Sequence, residues 1–197
     1  HKFQKELKPM LQKLGWWGVK EMTDPQTKEK KQVQLGSPRR LRTIYRINMR
    51  TSRAAGQWQR IQRTKATHPY LLYSLGPSKE HRLMHESWAG KIIPVDDPWW
   101  LTHYPPNGWG CKCRVRQVNR REAERRGGPV KAPKIIKEQW TNKRTGEVMQ
   151  VPKGIDPGWD YHPGIAQKHW DQLTDKLEAV PEAFAKQAIE LAVKSPA

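Results

Sequence analysis

Two histidines and two cysteines stand at spacings that can gather ligands: His81-x3-His85 and Cys111-x-Cys113. Residues i and i+4 share a helix face, and residues i and i+2 share a strand face. A helix carrying the first pair, packed on a strand carrying the second, would converge four donors as Cys2His2. That donor set suits a tetrahedral structural zinc, with His103 as a competing ligand. Other chemistry is open to the same residues. The cysteines can be small buried hydrophobes while the histidines hydrogen-bond backbone. A cysteine beside a histidine and arginines can ionise and act as a nucleophile. His81 and His85 can also cleave RNA by acid–base chemistry while arginines hold the phosphate, as in a small RNase, DNase or toxin-type effector. Nothing marks a base–acid pair, so no catalytic residue is assigned and the expected role is non-enzymatic.

The element delivering the cysteines is a loop over residues 96–116. It holds Trp99, Trp100 and Trp109, Pro98, Pro105 and Pro106, and both cysteines of the chain. Pro105-Pro106 followed by Asn107-Gly108 reads as a rigid turn. Asp97, ahead of Pro98, reads as a turn initiator rather than half of an Asp96-Asp97 metal dyad. Trp16, Trp17, Trp99, Trp100 and Trp109 are candidate docking residues for a partner, because tryptophan couples large area to a polar handle.

Around that loop the periodicities describe an α+β domain: a small mixed or antiparallel sheet with a long N-terminal helix, and extended arms at both ends. Residues 1–36 read as an arm with a short amphipathic piece and a loose hairpin across Thr23-Asp24-Pro25. Ser37 suits an N-cap and Pro38 a first helical turn. Leu41, Ile44, Tyr45, Asn48, Ser52, Ala55 and Gln59 recur at helical spacing as a core-facing stripe. Residues 69–75 are apolar on both faces, as a buried strand is. Ser78 is the expected cap of a short helix bearing His81 and His85. Residues 91–95 suit an edge strand because Pro94 cannot donate to a ladder. Residues 111–118 read as the next strand and 120–126 as a short basic helix. Residues 128–197 supply a hairpin turning at Gly146, an extended segment to Pro163, and a helical stretch over 165–193 interrupted at Pro181. The domain is expected over 37–127.

Lys and Arg outnumber Asp and Glu by 37 to 19, a net charge of +18, so polyanions are attracted in a salt-dependent manner. Arg114, Arg116, Arg120, Arg121, Arg125 and Arg126 are the candidate polyanion contacts. No apolar run approaches membrane-spanning length, so no membrane partner is expected. The chain opens on His1 with no methionine, which reads as a fragment or the ordered part of something longer.

Several segments together resemble the phage Mu F-like head morphogenesis, or minor capsid, proteins. They are Leu35-Gly-Ser-Pro-Arg-Arg-Leu-Arg-Thr-Ile-Tyr-Arg46, Asn48-Met-Arg-Thr-Ser-Arg-Ala-Ala-Gly56, His81-Arg-Leu-Met-His85 with Trp88-Ala-Gly90, and Gly154-Ile-Asp-Pro-Gly-Trp-Asp-Tyr161. The strongest is Asp96-Asp-Pro-Trp-Trp100 running through Thr102-His-Tyr-Pro-Pro-Asn-Gly-Trp-Gly-Cys-Lys-Cys-Arg-Val115. The resemblance implies a virion or procapsid component acting at or near the portal in head assembly and DNA packaging or delivery. Its implied partners are the portal, other head proteins and, non-specifically, DNA. Its implied locations are the phage head and, during assembly, the host cytoplasm. No cofactor is expected beyond a structural zinc, which would make a zinc-stabilised nucleic-acid-binding module the further alternative.

Overall fold

A computed structural model describes residues 2–24, 27–143 and 145–165. The helical stretch expected over 165–193 lies outside them. In chain order the elements are α1 (Lys2–Lys13), β1 (Val19–Thr23), β2 (Lys30–Gln34), α2 (Pro38–Thr64), β3 (Tyr70–Ser74), α3 (Leu83–Trp88), β4 (Ile92–Pro94), α4 (Trp100–His103), β5 (Arg114–Val118), α5 (Arg120–Arg125), β6 (Lys137–Thr141) and β7 (Val148–Pro152). The chain is α+β, with three small antiparallel sheets among the described residues: β1-β2, β4-β3-β5 and β6-β7. No described helix is long and apolar enough to cross a membrane.

The central sheet is antiparallel about β3, whose both faces are buried. Leu71 and Tyr73 face a large core, while Leu72 faces a smaller one with Ile92, Val118 and Ala123. Pro94 sits on edge strand β4, where its missing N–H costs no ladder bond. The large core is aromatic. Trp88, Trp99, Trp100, Tyr73 and Tyr104 are all buried there, in edge and tilted contacts that fill volume the few aliphatics cannot. Ile155 and Trp159, from beyond residue 127, enter the same core.

Helix α2 opens as its sequence predicts, with Ser37 Oγ accepting from the Arg40 N–H. Its buried face differs from the expected stripe. Ala54 and Ile61 are buried with Ile47 and Trp58 against the core, whereas Ile44, Tyr45, Asn48, Ser52 and Gln59 are exposed. In the N-terminal half of α2 Leu41 is buried, as the stripe predicts, and Ile47 packs against the large core, while Phe3 of the arm meets the exposed Tyr45. The C-terminal half is tied to β5 by side chains. Gln57 Nε2 donates to the Val115 carbonyl at 2.8 Å, and Gln117 Nε2 donates to the carbonyls of Ile61 and His68.

Candidate metal centre and basic groove

The loop between α4 and β5 is built from the inside out. Asp97 Oδ1 accepts the Trp99 N–H, starting the turn that drives Trp99 and Trp100 inward. Trp100 donates its indole N–H to the Pro94 carbonyl at 2.9 Å. With 2% and 1% of their surface exposed, Trp99 and Trp100 are core residues and cannot dock a partner; their rings meet edge-on, centroids 4.9 Å apart, within the large core. Trp16 and Trp109 are exposed and Trp17 is half-buried beneath Lys8, so these three remain available. Asn107 is fully buried and accepts from Tyr73 Oη, while its backbone carbonyl accepts from the Asp156 N–H. Asp156 in turn accepts from Arg82 at 2.8 Å and from the Trp109 N–H at 2.7 Å. A segment about fifty residues downstream thus clamps the loop.

The cysteines meet one histidine. His85, 3% exposed, points Nδ1 at Cys113 Sγ, 3.4 Å away, and at Cys111 Sγ, 4.0 Å away. Its Nε2–H donates to the Gly154 carbonyl at 2.8 Å, which leaves Nδ1 as a lone pair directed at the sulfurs. Gly154 has φ +90°, and a Cβ there would lie 2.6 Å from that of Met84, so this approach requires glycine. Gly76 is required for a different reason: a Cβ would sit 1.9 Å from the Lys112 carbonyl, where the end of β3 meets the Cys-Lys-Cys segment. The Cys111 thiol is held well below its ordinary value by hydrogen bonding with Cys113 first, then by His85 and the backbone at Asn107 and Cys113, against burial. Cys113 is driven the other way by the same neighbour and by burial.

His81 is not part of this cluster. The expectation of a Cys2His2 set fails because α3 begins at Leu83: Arg82 is extended, so His81 and His85 do not share a helix face. Ser78 does not cap α3 either. Nor do the cysteines lie on a strand, since β5 begins at Arg114. They converge through the turn at Gly108–Cys111 instead, and the potential ligand set is His85, Cys111 and Cys113. His81 and Glu80 line the same small cavity of about 170 Å³. His103, the competing ligand in the sequence, is buried elsewhere, stacked on Trp99 with ring centroids 4.4 Å apart. Burial lowers its pKa to about 4.

On its other side, the Cys-Lys-Cys segment walls a groove of about 600 Å³ against α2. Arg50, Arg53, Arg60, Lys112 and Arg114 line it, and no carboxylate does. Among the described residues none of the five is in an ion pair. Arg50 donates to the Cys111 carbonyl at 2.7 Å and Lys112 to that of Pro77, whereas Arg53 and Arg60 are uncommitted and exposed. Of the predicted polyanion residues only Arg114 is in this groove. Arg116 and Arg126 both pair with Glu122, whose pKa they lower to about 2; Arg120, Arg121 and Arg125 are exposed on or beside α5. Sequence reading passed over Arg50, Arg53 and Arg60 as groove residues. Their spacing of i, i+3 and i+10, with Gln57 between, is the available signal that they share one helix face.

Comparison with known proteins supplies a family context. The model of a family described as "Phage Mu protein F like protein" matches residues 1–116. The "Putative capsid assembly protein F" of Escherichia phage Mu is 35% identical over 203 residues, covering 95% of this chain and 46% of that protein. The "Mu-like prophage FluMu F protein" of Haemophilus influenzae is 34% identical over 177 residues, covering 82% of this chain and 42% of that protein. The chain therefore spans a little under half the length of these relatives. No solved structure matches it significantly.

Proposed function

Because the chain belongs to the phage Mu protein F like family, we propose that it is a head-assembly component working at or near the portal, binding other head proteins and the DNA backbone without catalysis. It acts in the assembling head in the host cytoplasm and stays in the virion. The relative named for capsid assembly supports the assembly role. The observation that carries the DNA contact is the groove, where five cations line one wall system with no acid among them. Such a surface attracts phosphates whatever the base sequence, which suits a protein beside packaged genome. Exposed Trp16 and Trp109 are the proposed contacts with neighbouring subunits.

His85 has both ring nitrogens engaged, one by the Gly154 carbonyl and one by the cysteines, which favours binding over acid–base cleavage. The deciding experiment is duplex-DNA binding across a salt series, with the integrity of the DNA checked on gels. Each phosphate contact contributes a slope of about 0.9 in log K against log salt, so Arg53→Gln with Arg60→Gln should flatten the plot by about 2. Those two side chains make no bond to the fold, so folding is expected to persist. An unchanged slope, or cleavage that disappears in His85→Ala, would sink this reading.

A further inference from the structure

We propose that His85 Nδ1, Cys111 Sγ and Cys113 Sγ form a three-ligand site for a thiophilic divalent cation, zinc foremost, whose fourth position opens to the cavity lined by His81 and Glu80. Geometry carries the proposal. A tetrahedral zinc with Zn–S of about 2.3 Å and Zn–N of about 2.0 Å sets each N···S separation at about 3.5 Å. The two separations here, 3.4 and 4.0 Å, bracket that value, and all three donor atoms lie within 4.8 Å of one another. The donors are two sulfurs and one imidazole with no carboxylate, which selects zinc or another soft ion over magnesium or calcium.

The surroundings supply what such ligands need. The Gly154 carbonyl fixes the imidazole tautomer that leaves Nδ1 free, as outer-shell partners of metal-bound histidines do. Arg50 donates to the Cys111 carbonyl at 2.7 Å and Lys112 Nζ to the Pro77 carbonyl at 2.8 Å, which pins the Cys-Lys-Cys segment on both sides. His85 is stacked on Trp88, which holds its ring plane. Three pieces of chain distant in sequence, α3, the Cys-Lys-Cys segment and the Gly154 turn, would be joined at one point. Metal binding would therefore stabilise the fold and fix the wall that carries Lys112 into the basic groove.

The test uses the whole chain purified under reducing conditions without chelator. The expected result is about one zinc per chain. After chelator treatment, cobalt should restore binding with a thiolate-to-cobalt charge-transfer band and the intense visible bands of a tetrahedral ion. Cys111→Ser and Cys113→Ser should each weaken or remove the charge-transfer band, and His81→Ala should keep both band and stoichiometry, because His81 is not a ligand. If the serine variants do not fold, wild-type protein alkylated at cysteine in the metal-free state serves instead, and it should take up no cobalt. The proposal is overturned by reduced wild-type protein that binds no zinc or cobalt, by a cobalt spectrum lacking the thiolate band, or by a Cys111–Cys113 disulfide in protein prepared under reducing conditions.

Discussion

Replacing Trp100 and Trp109 in parallel separates a core role from a docking role. Trp100 is 1% exposed and bonds the Pro94 carbonyl; Trp109 is 61% exposed and touches Trp159 edge-on. An indole buries about 200 Å², which at roughly 25 cal/mol per Å² is worth about 5 kcal/mol as an upper bound. The lost indole hydrogen bond adds about 1 kcal/mol. Large-to-small core changes of this kind cost about 3–5 kcal/mol, a large share of the roughly 5–15 kcal/mol available to a domain. Trp100→Ala should therefore lower stability by about 3–5 kcal/mol. Trp100→Phe keeps much of the ring and loses the indole hydrogen bond, while the Pro94 carbonyl keeps the Asp97 N–H, and should cost about 1–2 kcal/mol. Trp109→Ala should cost less than about 1 kcal/mol, and its effect should appear as loss of incorporation into heads. Urea unfolding followed by far-ultraviolet circular dichroism measures all three, with unchanged m values confirming the comparison. Equal midpoints for Trp100→Ala and Trp109→Ala would refute the core assignment of the loop.

Gly154→Ala forces a side chain into left-handed backbone against Met84 and Trp88, and should cost about 2 kcal/mol or more in the same urea assay, with weaker cobalt binding because the carbonyl that orients His85 shifts. Asp156→Asn removes the charge that Arg82 and the Trp109 N–H share at a partly exposed site. It should cost about 1–2 kcal/mol and speed hydrogen exchange at the Trp109 amide; unchanged exchange would count against the clamp. His103 has a folded-state pKa of about 4 against an unfolded value of about 6.5, with His85 the neighbouring titratable group that also opposes its charge. The unfolded chain then binds the extra proton first, so stability should fall as pH drops from about 6.5 to about 4 by something on the order of 3 kcal/mol, then level off for this group. A flat stability profile across that window, or an NMR midpoint for His103 near 6.5, would contradict its burial.

Local signals carried a large part of the fold. Ser37-Pro38 marks the start of α2 because capping is settled by neighbouring residues, and Pro94 marks an edge strand because a missing N–H excludes a central one. The two-sided apolar run at 70–74 identifies the central strand, and the Asn142 and Gly146 turn identifies the β6-β7 hairpin. The family was legible in the Asp-Asp-Pro-Trp-Trp and Cys-Lys-Cys segments. The buried stripe of α2 was not, because which face is covered depends on where the sheet lies.

The sequence by itself determined that two histidines and two cysteines stand at ligand-like spacings within each pair, and that the chain carries a net charge of +18 that draws polyanions. Composition and short-range spacing reach that far. Tertiary structure alone decided which histidine, since the extended backbone at Arg82 starts α3 too late for His81 to share a face with His85. Packing also turned Trp99 and Trp100 from docking residues into core, because the aromatic interior fills a volume that no nearby aliphatics could. The charge gathered where α2 faces the Cys-Lys-Cys segment, between residues some fifty to sixty positions apart. Such convergence depends on chain crossings at long separation, and neither periodicity nor capping encodes those.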